Sequence, residues 1–299
     1  MDDSMEARAS GIPVPGTSGL SHATDVITEE TWWERHERMV LGSGFIVLFL
    51  LIWEVGPLII PLSKGMQLFF ATPSDIAAVM YAMVNGDDSM FLNGNVWDAL
   101  AHSTNAFLLG LGLGVVVGLP LGVVLGRSEI INAMFDPFIT AFNATPRLIF
   151  LPLVLVWFGI GLWSEVLIVF IGAVFPLLIN TYAGVKNADR LLINVVRSFG
   201  ASEWEINKLV VLPNSIPFII AGLRLAIGRA ILGVVVAEFF GGAEAGIGVM
   251  MVNAAGKYHV DVLFAGLIIF MVQVLILTSA VKVMELRLSR WRPEKVKTF

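Results

Sequence analysis

The chain has 299 residues, 57% of them hydrophobic and 14% charged, with a net charge of −5 and a mean hydropathy of +0.82. Soluble domains carry about a quarter charged residues, so this composition excludes a self-contained soluble domain and points to a polytopic membrane protein. The absence of cysteine also excludes disulfides, thiolate zinc sites and thiol nucleophiles.

Residues 1–30 are polar and contain no apolar stretch, which predicts a cytosolic tail and not a signal peptide. The following "TEETWWERHERM" (28–39) predicts a short interfacial helix with Trp32 and Trp33 at the headgroups. A span needs roughly 20 apolar residues, and the chain offers six: 40–61, 99–126, 130–158, 163–184, 214–239 and 261–285. The third carries Pro137, Pro146 and Pro152, which predicts a bent helix or two half-helices. The domain plan is a cytosolic tail and interfacial helix (1–39), a first transmembrane helix (40–61), an external loop (62–98), a core (99–285) and a basic cytosolic tail (286–299).

Lysine and arginine set the orientation. Of the 19, fourteen fall on the side of the tails and of the loops after even-numbered spans, Lys282 among them at the very end of the sixth span; Lys64 and Lys257 lie in the opposite loops, and Arg147, Arg224 and Arg229 lie deeper within spans. Both termini are therefore expected inside. In the second span Gly110, Gly114, Gly118, Gly122 and Gly126 recur every fourth residue, predicting a groove for close helix packing.

Catalytic signatures are lacking. Gly256-Lys257 is not a phosphate loop, because Met251 stands where the first glycine belongs and Tyr258 replaces Ser/Thr. His22, His36, His102 and His259 are scattered without ligand spacing and read as surface or interfacial residues. Asn143-Ala144-Thr145 matches a glycosylation acceptor but lies inside a span. No catalytic residue, metal, cofactor or nucleic-acid partner is expected. A charge kept in a span is costly unless solvated or paired. Arg147, Arg224, Arg229 and Glu238 are therefore either structural pairs or a lining that favours an anionic solute. At about 100° per residue, Arg224 shares a face with Glu238 and Arg229 opposes it.

The polar stretch 188–209 interrupts the apolar runs. Ala188–Phe199 fits a short amphipathic helix with Leu191, Leu192, Val195, Val196 and Phe199 on the apolar side and Arg190, Asn194 and Arg197 on the polar side. Gly200 reads as its stop, and Ser202 with Glu205 as a capping box opening a second short helix to about Leu209. Pro213 and Pro217 mark the re-entry into the membrane.

This passage resembles the loop motif E-A-A-x3-G-x9-I-x-L-P of ABC importer permeases. Aligned on Gly200, the chain reads Asn194-Val195-Val196, three residues, Gly200, nine residues, Val210, one residue, Leu212-Pro213. Spacing, Gly, Leu and Pro are kept, and Asn194 replaces the motif's Glu. "PRLIFLPLVLVWFGIG" (146–161), "FGASEWE" (199–205), "LPNSIPFIIAGLRLAIGRAILGVVVAEFFGG" (212–242) and "GIGVMM" (246–251) are similar to the nitrate/sulfonate/taurine/bicarbonate group. The resemblance covers residues 95–285.

It implies an all-α membrane protein of the type I ABC importer permease fold, with six transmembrane helices and a cytosolic coupling helix between spans 4 and 5. The coupling residues would be Asn194, Ser198, Gly200, Ala201, Ser202, Glu203, Leu212 and Pro213. The implied partners are an ATPase subunit dimer, an external or periplasmic solute-binding protein and a second copy of the chain, in a bacterial inner membrane. The implied function is import of a small, anionic solute, with a pyrimidine precursor or other small organic solute as the alternative. A secondary transporter would need no ATPase and often shows inverted repeats. A membrane enzyme would show clustered acids or histidines. Neither pattern occurs in the sequence.

Overall fold

In the computed structural model the described residues are 32–59, 63–86, 95–241 and 243–288, and their regular elements are helices. The basic tail 286–299 lies mostly outside them, as do residues 1–31. Helix α1 (Trp32–Ile59) runs without a break through the stretch read as a separate interfacial helix, because no glycine or proline intervenes between Trp33 and Leu41. The span 62–98, read as a loop, holds α2 (Lys64–Gln67) and α3 (Pro73–Val84). Thr72 caps α3: its Oγ accepts from the Asp75 N–H, and the Asp75 carboxylate accepts from the Thr72 N–H at 3.0 Å. Those Thr72 bonds hold the Asp75 carboxyl below the usual carboxylate range. Trp53 Nε1 donates to Ala71 O at 3.0 Å, and Glu54 accepts from Ser74 Oγ at 2.7 Å, fixing where α3 begins.

The core is built around one helix. α7 (Leu162–Lys186) packs against α4 (Val96–Arg127) on one side and α10 (Leu212–Phe239) on the other. Gly110, Gly114, Gly118, Gly122 and Gly126 of α4 lie against Val169, Ala173, Leu177, Thr181 and Val185 of α7. Both rows step by four and rise together, so the two helices run parallel. A Cβ at Gly110 would fall 2.5 Å from Val169 Cβ, and one at Gly122 would fall 2.6 Å from Thr181 Cβ. Real carbons do not approach so closely, so the glycines are what bring the backbones together. α10 runs antiparallel to α7 on glycines from both helices: Gly222 and Gly233 of α10 meet Asn180 and Val169, and Gly184 of α7 meets Phe218. α11 (Ile247–Gly256) and α12 (Val260–Leu288) complete the packing beside α10, and α12 also meets α3.

Among the described residues, five helices are long and apolar enough to cross a membrane: Val40–Ile59, Val96–Arg127, Leu162–Lys186, Glu203–Phe239 and Val260–Val283. The sixth candidate is a broken pair. α5 (Glu129–Ala144) and a 3-10 turn (Arg147–Phe150) leading into α6 (Leu151–Phe158) meet at 96°. Of the three prolines expected to bend this segment, Pro146 makes the break. Thr145 before it is extended (φ −71°, ψ 129°), as residues before proline prefer. Pro137 sits inside α5, and Pro152 occupies the first turn of α6, where its missing N–H costs nothing.

The outward surfaces of these helices are apolar. Phe45, Ile46 and Ile52 of α1 are more than half exposed, as are Val116 of α4 and Leu275 and Ile276 of α12. In a bilayer, such surface needs no further cover, whereas the backbone polar groups must be satisfied within the helices.

Candidate functional site

The polar stretch forms a compact bracket. α8 (Arg190–Ser198) starts at Asp189, whose carboxylate accepts from the Leu191 N–H at 2.8 Å. It closes through paired backbone bonds, with Gly200 N–H donating to Arg197 O at 2.9 Å and Ala201 N–H to Val196 O at 3.4 Å. That closure needs a residue at positive φ, and Gly200 supplies it at +84°. Ser202 and Glu205 form the reciprocal cap of α9 (Glu203–Ile206), with the Ser202 N–H bonded to Glu205 at 2.8 Å.

The second helix does not stop near Leu209. It passes through a π-turn over Asn207–Val211 directly into α10. The wider i→i+5 turn takes up the ring of Pro213, which would otherwise press on the carbonyl four residues earlier. Re-entry is therefore a continuous rod and not a proline-punctuated loop.

The bracket is fastened to the helix ends beneath it. Glu203 accepts from Arg197 at 2.8 Å and also from Arg127 at the end of α4. Val185, Ala188, Ile206 and Val211 form a buried cluster joined by Val123, Ile193, Val196 and Ala201. Asn214 Nδ2 reaches Asn187 O at 3.2 Å. Ser198 Oγ donates to Asn194 O at 2.9 Å.

Its opposite side is bare. Phe199 is 88% exposed, Trp204 73%, Leu191 71% and Leu209 63%, with Leu192 and Val195 beside them. α8 thus presents three sides: Ile193 and Val196 pack on the bundle, Arg190, Asn194 and Arg197 line a cavity beside the ends of α4 and α7, and the remaining apolar side chains stay uncovered.

The break at Pro146 gathers two of the intramembrane arginines. Arg147 NH1 donates to the Arg229 carbonyl at 2.6 Å, and Arg229 NH1 donates to Asn143 Oδ1 at 2.8 Å. Both halves of the broken span are strapped to α10 in this way. Gly172 of α7 leaves room for it, since a Cβ there would lie 2.9 Å from Arg229 O and 3.1 Å from Arg147 NH1. Phe142 stacks on Phe175 and Phe150 beside the strap. Both arginines are half-buried, and neither meets a carboxylate among the described residues. Arg224 lies more than a turn away along α10 and is exposed.

Glu238 belongs elsewhere. It is 2% exposed, accepts from Ser103 Oγ at 2.6 Å and from the Gly248 N–H, and so caps the start of α11. Ser103 Oγ in turn accepts from the Ile247 N–H at 3.0 Å. A Cβ on Gly246 or Gly248 would collide with the Glu238 carboxylate, which accounts for the "GIG" sequence there. Nearby, His102 Nε2 lies 2.7 Å from the fully buried Glu165 Oε1. His102 is therefore a bonded partner of a buried acid and not the simple surface residue its sequence context suggested. His259 stands at the turn between α11 and α12, with its Nδ1 4.0 Å from Asp261. No cluster of potential metal ligands occurs among the described residues.

Sequence reasoning missed Ser103, His102, Glu165 and Asn143. The cost of a charge in a span applies to Glu165 as much as to the arginines and could have found it. Its partner lies 63 residues away, beyond any local pattern.

A family model described as binding-protein-dependent transport system inner membrane component matches residues 114–290, more than half of the chain. The taurine transport system permease protein TauC of Escherichia coli K12 is 28% identical, over 88% of this chain and 93% of TauC. The putative aliphatic sulfonates transport permease protein SsuC of the same strain is 31% identical, over 88% of this chain and 94% of SsuC. A chain of the MetNI methionine ABC transporter, in inward-facing conformation, superposes with a TM-score of 0.58 at 19% identity, covering 71% of this chain and 98% of that one. At that identity the last match speaks for the fold alone. Together with the broken span and the bracket, these matches establish that the chain belongs to the binding-protein-dependent inner-membrane components: it is a non-catalytic, multi-pass permease of an ABC importer, whose ATPase is a separate subunit.

Proposed function

We propose that this permease works as a homodimer on two ATPase subunits and imports a small anionic solute of the sulfonate, taurine, nitrate or bicarbonate kind, delivered by an external binding protein. The observation that carries the coupling part is the uncovered apolar side of α8. Leu191, Leu192, Val195 and Phe199 expose an apolar patch on a segment that belongs to none of the candidate spans; such patches mark protein contacts. The other face is fastened through Glu203 to α4 and through the π-turn to α10. Motion of a docked ATPase would therefore move those helices with the bracket. ATP and the loaded binding protein shift the conformation only insofar as each favours one state over the other.

In this reading both termini and the bracket are cytosolic, the broken pair is the third of six spans, and the segment 239–260 faces outward toward the binding protein. Cysteines placed singly at Ser4, Ser202 and Ser289 should react with an impermeant maleimide from the cytosolic side only, and one at Ser89 from outside. External labelling of Ser202 would reverse the orientation.

The solute class rests on Arg147 and Arg229, two half-buried cations at a helix break without a carboxylate partner among the described residues, and on the likeness to TauC and SsuC. Broken helices often border solute sites in transporters. Arg224 is the further candidate along α10. Arg147→Gln keeps hydrogen bonds but removes charge. Uptake of a sulfonate per assembled complex should fall while ATPase retention stays; unchanged uptake per complex would leave the arginines as straps only. A ligand screen of the copurifying binding protein completes the test, and preference for an uncharged solute would refute the anionic assignment.

A further inference from the structure

We propose that the polar cavity enclosed by α8 and the adjoining ends of α4, α5 and α7 binds a phosphate-type anion, supplied as the headgroup of an anionic phospholipid or as free inorganic phosphate. The cavity measures about 450 Å³ and is lined by Arg127, Lys186, Arg190 and Arg197, with Tyr182 and Asn194 among its polar donors. Four cations face one lining carboxylate, Glu129. Glu203 neutralises part of the pair Arg127 and Arg197 from the rim, accepting from both. Lys186 Nζ rests 3.0 Å from the Tyr182 hydroxyl, and neither it nor Arg190 forms an ion pair among the described residues. At the position where the importer motif carries Glu, this chain carries Asn194. The lining therefore lacks the carboxylate that would balance its charge, and it offers several N–H and O–H donors converging on one space. An oxyanion with three or four acceptor atoms is the ligand such a set recognises.

The position selects the source to be tested first. Lys186 and Arg127 end two of the membrane spans, so the cavity opens at the level of the lipid headgroups. Ile130 (76% exposed) and Met134 (63%) continue from the rim along α5 as apolar surface on which an acyl chain could lie. Basic pockets between helix ends at this depth bind acidic headgroups. Anion binding here is independent of the solute and of ATPase docking.

The test uses the full chain, purified and exchanged into mixed phosphatidylglycerol and phosphatidylcholine, with retained lipid counted by native mass spectrometry. A parallel thermal-shift titration uses inorganic phosphate. One phosphatidylglycerol should be retained per chain in preference to phosphatidylcholine. The double variant Lys186→Gln/Arg190→Gln should weaken that retention roughly thirtyfold, at about a fivefold loss per cation near an anionic surface. Asn194→Glu deletes no cation but adds a carboxylate to the lining, and should weaken it in the same direction even if the double variant fails to fold. Saturable stabilisation by phosphate, without selective lipid retention and lost in these variants, identifies the free anion as the source and supports the site. Equal retention of both lipids together with no phosphate effect, or binding unchanged in both variants, overturns it.

Discussion

The two ends of α10 handle polar and apolar groups in opposite ways. At the Glu238 end, a buried carboxylate meets Ser103 and Gly248, and Ser103 meets Ile247, so the polar atoms of this knot are bonded inside the protein. At the end that begins with Leu212, the ion pairs of Glu203 are exposed and the neighbouring side chains of α8 leave an apolar patch uncovered. The first is a closed structural joint. The second has rigidity supplied from beneath and an apolar surface left outward, the surface proposed above to meet the ATPase. A charge in a helix can thus be wholly occupied by structure, as Glu238 is.

The largest effect that could break this contrast lies at the bracket. Leu191→Asp with Leu192→Asp should lower ATPase retention at least a hundredfold, because an unpaired charge buried at an interface costs about 3–5 kcal/mol. The thermal midpoint of the isolated permease should stay where it was. A permease that unfolds, or one that keeps its ATPase, contradicts the assignment of that face.

At the other end the expectation inverts. Glu238→Ala leaves the Gly248 N–H and Ser103 without their acceptor and should destabilise the permease by roughly 2–6 kcal/mol, at about 1–3 kcal/mol per abandoned buried group. Thermal melting reads this, and uptake normalised to folded protein should hold. Lost uptake in well-folded protein would place Glu238 in the transport route after all.

Smaller effects sharpen the comparison. Gly200→Val forces a β-branched side chain to φ +84°, at about 1–2 kcal/mol of backbone strain. ATP hydrolysis should continue while uptake per ATP falls; full coupling would show that the turn is tolerant. Least of all, Glu203→Gln removes two ion pairs at the surface, where solvent and salt screen them. Its expected readout is faster amide exchange over 198–203 without a measurable shift in melting. A large melting shift would mean that those pairs, and not the buried cluster around Ile206, hold the bracket.

What could be read in advance was what is local. The stop at Gly200 and the cap at Ser202 and Glu205 depend on neighbours within a few residues, and both stand as read. The membrane class followed from composition, and the helical spans from apolar runs of about 20 residues. The facing direction of α8 did not, because one amphipathic pattern serves a buried face and a docking face equally well. Pro137 and Pro146 looked alike in sequence, yet only the residue before Pro146 turned extended; Thr145 there bonds Ala141 O, and Arg147 is anchored on α10. The strap from Arg229 to Asn143 spans 86 residues, and no periodicity reports a contact of that separation.

The glycine row of α4 has a consequence of its own. Its rungs are nearly interchangeable, so sliding α4 along α7 by four residues, about 6 Å, would lay most glycines against the next member of the same series. Steric fit along the rail is thus almost degenerate and cannot define the alignment. Alignment is set where the rail ends, by the bonds of Ser103 with Glu238 and of His102 with Glu165, while the exposed Arg127–Glu203 pair adds little. These buried bonds act together as a locating pin: the shaft beyond them needs only to be smooth, and a permease that lost both would keep its helices together while losing track of their register.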